Sequence, residues 1–417
     1  MRNRWIIAGF VLAAGLVTGP GADRARAQPT AWDVSGNDCP EVWAPFGTYQ
    51  HDGSGWYTGV EFIMMHQPRF IGHQLIAIRG LVDSAGFLTG NPGTFLGSAE
   101  PALSSAELGR TGWSPGQRLT LGYRLENGWN FSVSWLHLFD TKYSAGAGTQ
   151  GPNFQNGGPN LENSFLFSPV FNFSPEFTGP VARITDPTGL IIFGALNGIW
   201  NGASDMTILF TQRFDDWEIA GRFPIFETEN ARSYAIAGGR FSWFWERFQW
   251  RTSTVGFEFV NQPEGEPPHQ TSSPEWAARY INTLSQRMYG PMVGVGHEVC
   301  LYSGVAGAFG IGTECTGSLL VDIVKERAKY EREDQATESK RSWNENRIVP
   351  NFDFSINLTW QPIDGLTLRA GYNLFTYFNT LYIDQPVGFN FQAIDPAYEK
   401  KFLRCLYGCN FGIAYTW

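Results

Sequence analysis

Residues 117–135, QRLTLGYRLENGWNFSVSW, decide the fold. Along the first arm Leu119, Leu121, Tyr123 and Leu125 alternate with Arg118, Thr120, Gly122 and Arg124. Along the second, Trp129, Phe131, Val133 and Trp135 alternate with Asn130, Ser132 and Ser134. Successive side chains of a strand point to opposite faces, so one face is apolar and the other polar and basic. Between the arms, Glu126-Asn127-Gly128 supplies the positive-φ residues of a tight hairpin turn. In a soluble sandwich the apolar face would meet a core. In a transmembrane barrel it would meet lipid, and the polar face would line the lumen. Arms of about nine to eleven residues suffice to cross a membrane when tilted.

Composition favours the membrane. The chain has 417 residues with 48 glycines, 15% aromatic and only 17% charged residues, the profile of an aromatic-rich β protein. Past the first twenty residues, no apolar run is long enough for a membrane helix. A net charge of −9 argues against a nucleic-acid partner. The N-terminus reads as a secretory signal: Arg2 and Arg4, then an apolar stretch over 5–17, then Ala25-Arg26-Ala27 as a cleavage site before Gln28. No cysteine at that point offers a lipoprotein anchor. Residues 28–55 are expected to be a periplasmic lead-in, and residues 56–417 an all-β antiparallel outer-membrane barrel.

Outward from the opening hairpin, the period-two pattern recurs. In 56–65, Val60, Phe62 and Met64 oppose Glu61. Further candidates are 206–213, 217–226, 233–245, 248–260, 288–299 and 304–323. Residues 351–376 repeat the hairpin around Gln361-Pro362-Ile363-Asp364-Gly365, and residues 405–417 end on alternating Phe411, Ile413, Tyr415 and Trp417. This predicts about twelve strands. With both ends in the periplasm, the connections 126–128, 214–216, 246–247, 300–303 and 361–365 are short. The outward ones, 66–116, 140–205, 261–287, 324–350 and 377–404, are long, and only 227–232 is brief. Short–long alternation is the mark of an outer-membrane barrel. Residues 325–347 carry 13 charges in 23 residues and cannot lie in hydrocarbon, which predicts an exposed loop or a surface helix. The repeat Phe165-Leu166-Phe167-Ser168-Pro169 and Phe171-Asn172-Phe173-Ser174-Pro175 reads as local loop packing, with folding back over the barrel mouth as the alternative.

The phase opposite the apolar residues gives a candidate lumen. It holds Arg118, Arg124, Arg222, Arg240 and Arg369 with Glu61, Glu218, Glu258, Glu298 and Asp353. An arginine on the lipid face near the midplane would cost about 2–4 kcal/mol, which supports this phase. Trp129, Trp243, Trp245, Trp360 and Trp417 fall near strand ends, where an interfacial girdle belongs.

Ser114-Pro115-Gly116-Gln117-Arg118-Leu119-Thr120-Leu121-Gly122-Tyr123, the hairpin with Leu368-Arg369-Ala370-Gly371-Tyr372, and the ending from Gly408 to Trp417 resemble the putative β-barrel porin-7 family of bacterial outer-membrane proteins. The resemblance implies an outer-membrane location and a barrel, and it brings no catalytic residues. The terminal residue is Trp417, where Phe is usual in such barrels.

No enzyme chemistry is expected. His51, His66, His73, His137, His269 and His297 show no metal spacing, and no nucleophile elbow or phosphate loop occurs. His297 and Glu298 are neighbours on a strand and face opposite sides. Of Cys39, Cys300, Cys315, Cys405 and Cys409, the first two are expected on the periplasmic side, and Cys315 and Cys405 towards the outside. A Cys300–Cys315 bond is ruled out by the reach of a disulfide, roughly 7 Å between Cα atoms. No metal or cofactor is expected.

The sequence therefore reads as a porin-like channel for small polar solutes. Its alternative is a surface interaction or structural barrel with a plugged lumen, whose long outer loops bind a partner. The expected partners are outer-membrane lipid and, through the C-terminal strand, the barrel-assembly machinery.

Overall fold

A computed structural model describes residues 54–417, apart from 84–85, 87–88, 149–164, 173–181, 186–190, 197–198, 229, 255, 259–268, 272–275, 305–306, 336–337 and 364. The signal, its cleavage site, nearly all of the lead-in, Cys39, His51 and the second copy of the aromatic repeat from Phe173 on lie outside the described residues.

Ten of the described strands close into an antiparallel barrel. They are β1 (Gly55–His66), β2 (Trp113–Arg124), β3 (Asn130–Gly148), β4 (Asp205–Glu227), β5 (Ala231–Ser253), β6 (Ala277–Gly304), β7 (Gly307–Arg332), β8 (Glu338–Ile363), β9 (Leu366–Gln385) and β10 (Ala397–Thr416). Each strand pairs with its neighbours in sequence, and β1 pairs with β10 from Tyr57 opposite Thr416 to His66 opposite Tyr407. Closure leaves no unpaired edge, which hydrocarbon would not tolerate.

The opening hairpin forms as its pattern dictates. Leu119 pairs with Trp135 and Tyr123 with Phe131. Leu125 N donates to Trp129 O at 2.8 Å, Gly128 N to Leu125 O at 3.0 Å, and Asn127 Oδ1 accepts from Trp129 N at 3.1 Å. Gly128 has φ 80°, which a side chain would strain. Leu121, Phe131 and Val133 point outward and stay 41–49% exposed, a face left for lipid.

The barrel has ten strands rather than twelve. The expected turns at 214–216 and 246–247 are continuous strand within β4 and β5. Residues 228–230 then join β4 to β5 at the same end as 125–129, 305–306 and 364–365, which by its short turns is the periplasmic end. The connection at 227–232 is therefore periplasmic, not outward. The long connections 67–112, 149–204, 254–276 and 386–396 share the other end with the brief 333–337. Strands β4 to β8 run 23, 23, 28, 26 and 26 residues, far beyond what a bilayer needs, so the wall projects outward past the membrane. Residues 325–347 belong to this projection. The described residues among them lie in β7, in β8 and in the short connection between the two, and form neither a long loop nor a helix.

The interior is layered. Midway, Ile63, Met65, Leu136, Leu138, Phe214, Phe244, Met288, Leu320, Val349, Phe375, Tyr377 and Leu406 form one buried apolar cluster to which every barrel strand except β2 contributes. Its rings interlock, with Phe214 and Phe244 centroids 4.7 Å apart and Phe244 and Tyr377 5.0 Å apart. Wetting any one of these side chains would forfeit roughly 1.5–3 kcal/mol.

Above it, the loops enter the mouth. Ile76, Leu103, Leu166, Trp200 and Phe391 share a core with the inward Ile208, Phe210, Trp250 and Tyr330 of the wall. Strands Leu75–Arg79, Pro101–Ser104, Leu166–Phe167 and Asn201–Ala203 pair into a small sheet there. Gln74 and Val387 exchange two hydrogen bonds of 2.7 and 2.9 Å, tying the first loop to the last. The first copy of the aromatic repeat thus folds back into the mouth, Phe165 and Leu166 buried, against the expectation of local packing.

Candidate functional site

Below the apolar layer the inward positions turn polar and charged. They line a cavity of about 80 Å³, and the lining includes Tyr57, Arg118, Glu218, Arg222, Tyr234, Arg240, Glu298, Glu314, Asp353 and Arg369. Each comes from the inward phase of a barrel strand, so the chamber is drawn from nearly the whole wall.

The charges are paired across strands. Glu61 on β1, with a side chain 0% exposed, sits between Arg118 on β2 and Arg369 on β9, each 3.2 Å away. Arg222 on β4 reaches Glu314 on β7 through Nε at 3.0 Å and Nη2 at 3.4 Å, and donates to Ser132 Oγ at 2.7 Å. Glu218 links this group to Arg240, accepting from Arg222 at 3.5 Å and from Arg240 at 3.3 Å. Arg240 also meets Asp216 at 3.4 Å, Asp353 in direct contact, and Asn351 Oδ1 at 2.7 Å. Buried charges are tolerated when paired and hydrogen-bonded; apart from Glu218–Arg222, both on β4, each pair here laces two strands together.

Two tyrosines frame the chamber by lying over glycines. Tyr57 faces Gly122 and Tyr234 faces Gly296 across the ladder. A Cβ at either glycine would come within 2.2 Å of the ring, so only glycine admits it. The hydroxyls then reach Asn130 Oδ1 at 2.7 Å and Glu314 Oε1 at 2.8 Å.

Of the ten residues expected in the lumen, Arg118, Glu218, Arg222, Arg240, Glu298, Asp353 and Arg369 line the cavity, and Glu61 lies beneath its arginines. Arg124 ends β2 near the periplasmic rim, opposite Gly55 and Asn130, and is not among the cavity lining. Glu258 is a correction. It sits in a short strand, Gly256–Glu258, that pairs with His269–Thr271 off the barrel. The wall ends at Ser253, so alternation past it carried no information about the lumen.

Sequence reasoning missed Glu314, Asp216, Tyr57 and Tyr234. For Glu314 the cue was present: Phe309, Ile311, Leu319 and Val321 set an outward phase that puts residue 314 inside. Between Ile311 and Leu319 that phase holds Thr313, Cys315 and Gly317, so the apolar alternation lapses around Glu314. A second buried pair was hidden in an expected turn. Arg404 binds Glu246 at 2.5 and 3.0 Å, their side chains 2% and 1% exposed.

His297 faces outward and contacts Ser233 Oγ at 2.9 Å, on the opposite side from the buried Glu298. Cys300 is disulfide-bonded, whereas Cys315, Cys405 and Cys409 are free. Cys315 lies opposite Val295 and Phe354, and Cys405 opposite Thr376, so both are in the wall itself.

A cavity of about 80 Å³ has room for several waters, at about 10–15 Å³ each.

A family model described as the Legionella pneumophila major outer membrane protein precursor matches residues 104–402. The expected kinship with porin-7 is met at the coarser level of an outer-membrane protein family. No curated protein sequence matches. Among solved structures, the outer membrane protease OmpT from Escherichia coli is 10% identical with a TM-score of 0.33, covering 89% of this chain and 100% of that one. A Pseudomonas aeruginosa FadL homologue is 8% identical with a TM-score of 0.21, covering 92% and 95%.

Proposed function

The chain belongs to the Legionella pneumophila major outer membrane protein family and is a protein of the outer membrane, where we propose that it serves as a closed-lumen barrel whose working surface is its outer end. The observation that carries this reading is the apolar layer contributed by every barrel strand except β2. Small barrels are filled by side chains, whereas aqueous channels belong to those of about 16–18 strands. The paired charges beneath the layer fit a packed interior, since each arginine of the chamber is held by carboxylates rather than left to a solute. The long loops and projecting strands are then the part that meets a partner.

A second reading, a channel for small polar solutes, draws on the charged chamber. It requires the apolar layer and the loops above it to move.

Planar-bilayer recording on the refolded mature chain separates the two. The protein should insert, shift in mobility on heating, and give no steady ohmic steps. Stable steps whose ion selectivity changes when Arg118 and Arg369 are neutralised would overturn the closed reading and restore the channel.

A further inference from the structure

The outward face holds a basic cluster that the lumen does not explain. Arg213 on β4, Arg247 on β5, Arg287 on β6, and Lys325 and Arg327 on β7 all lie on the outward phase. The register gathers them. Arg213 stands opposite Trp245, Trp245 opposite Ser285, and Ser285 opposite Lys325. One row outward, Arg247 stands opposite Thr283 and Thr283 opposite Arg327; one row inward, Trp243 stands opposite Arg287. Five cations thus share three adjacent rows of four strands.

Two indoles hold the guanidinium groups in place. Arg213 lies 5.9 Å from the Trp243 ring and 5.5 Å from Trp245, Arg247 4.8 Å from Trp245, and Arg287 5.4 Å from Trp243. Asp140 neutralises Arg213. Among the described residues, Arg247, Arg287, Lys325 and Arg327 have no carboxylate partner.

Height decides what such a patch meets. From Ile225 near the periplasmic end of β4 to Arg213 is twelve residues. At roughly 3.3 Å per residue and a tilt of roughly 40°, that is about 30 Å, the far edge of the hydrocarbon. Below the cations the outward face of β4 carries one acid, Asp215, which is taken up by the Trp135 indole at 3.2 Å and His137 at 2.7 Å; around and beneath it the face is apolar, with Ile219, Tyr289, Val293 and Val321 44–66% exposed.

We propose that this patch binds a phosphorylated lipid of the outer leaflet, its phosphates on the arginines and lysine and its acyl chains along the apolar strip. Guanidinium forks match phosphate oxygens bidentately. Tryptophans at this level anchor the wall in the headgroup region. The strip below gives a lipid a second purchase that a free phosphate lacks.

The test uses the full mature chain in phosphocholine micelles doped with a bisphosphorylated glucosamine glycolipid, with retained lipid read by native mass spectrometry. The wild type should retain it, and the variant R247Q/R287Q/K325Q should bind roughly a hundredfold more weakly. The dephosphorylated glycolipid should be retained by neither. Heat-modifiable mobility establishes that the variant is folded; if the triple variant is not, the single K325Q and R247Q variants give the same comparison at smaller scale. Equal retention by folded variant and wild type overturns the proposal, as does equal binding of the dephosphorylated lipid. Displacement by millimolar inorganic phosphate also overturns it, since that would mark a simple anion site.

Discussion

Adjacent charges within these strands divide between the two sides of the wall. Glu246 points inward to Arg404, while Arg247 points outward to the Trp245 ring. Asp216 points inward to Ser242 Oγ at 2.6 Å, and Asp215 accepts from the Trp135 indole at 3.2 Å and meets His137 at 2.7 Å. In sequence each pair looks like a turn because both faces become polar at once. The charges of the opening and closing hairpins were legible because there only the inward face is polar. Where both faces carry charge, pairing partners on distant strands decide, and a linear reading does not contain them. The Glu246–Arg404 pair is sealed from water, so removing one partner leaves an uncompensated buried charge. Glu246→Gln should destabilise the refolded chain by about 3–5 kcal/mol in denaturant unfolding. Replacing both residues by methionine should recover most of that loss. A double variant as weak as the single one would mean that the site needs polar groups for another reason.

At the level of elements, the barrel, its first and last hairpins and its closing strand were all readable from period two. The strand count was not, because β4 and β5 continue past the membrane where the apolar and polar faces exchange roles. In their outer halves Met206, Ile208 and Phe210 point inward against the loops, and a lipid-facing rule no longer applies. The projecting β7–β8 hairpin is held to its neighbours by charge. Glu333 at its turn accepts from Arg251 Nε at 2.7 Å and Nη2 at 3.2 Å, and from Arg279 Nε at 3.0 Å. The Arg251 hydrogen bonds, ahead of Coulomb attraction from Arg251 and Arg279, hold its carboxyl below the ordinary range. A carboxyl depressed in the folded state contributes above its unfolded pKa and loses that contribution as pH falls through the folded value. Amides of the hairpin tip should therefore be better protected from hydrogen exchange in the wild type than in Glu333→Gln near neutral pH. That ratio should fall towards one in acid. A ratio indifferent to pH would show that the arginines do not tether the tip.

For the whole molecule, the closed-lumen proposal rests on two buried apolar layers in series between the periplasmic chamber and the outside, each proposed as a barrier. The lower is the apolar layer around Phe214, Phe244 and Phe375. The upper is the loop core around Trp200, whose ring lies 4.5 Å from Trp250 and 5.1 Å from Phe391. The aromatic repeat beginning at Phe165 offered the upper one only as the alternative to local packing, since a loop's destination depends on which inward residues await it. Barriers in series make a specific demand on conductance, because current needs both to be gone. Phe214→Ser with Phe244→Ser and Phe375→Ser would open the lower barrier to water, since narrow apolar constrictions block ions by staying dry. That variant alone should remain silent in a planar bilayer. A chain with short linkers in place of 67–112 and 149–204 should also be silent, closed by the intact layer. Only the combination should give small ohmic steps, with ion selectivity set by the arginines and carboxylates of the chamber. Heat-modifiable mobility has to be retained throughout, because each ring removed costs about 3–5 kcal/mol of packing. Steps from the loop variant alone would show that the apolar layer is no seal. The lumen would then be a channel stoppered only by its loops.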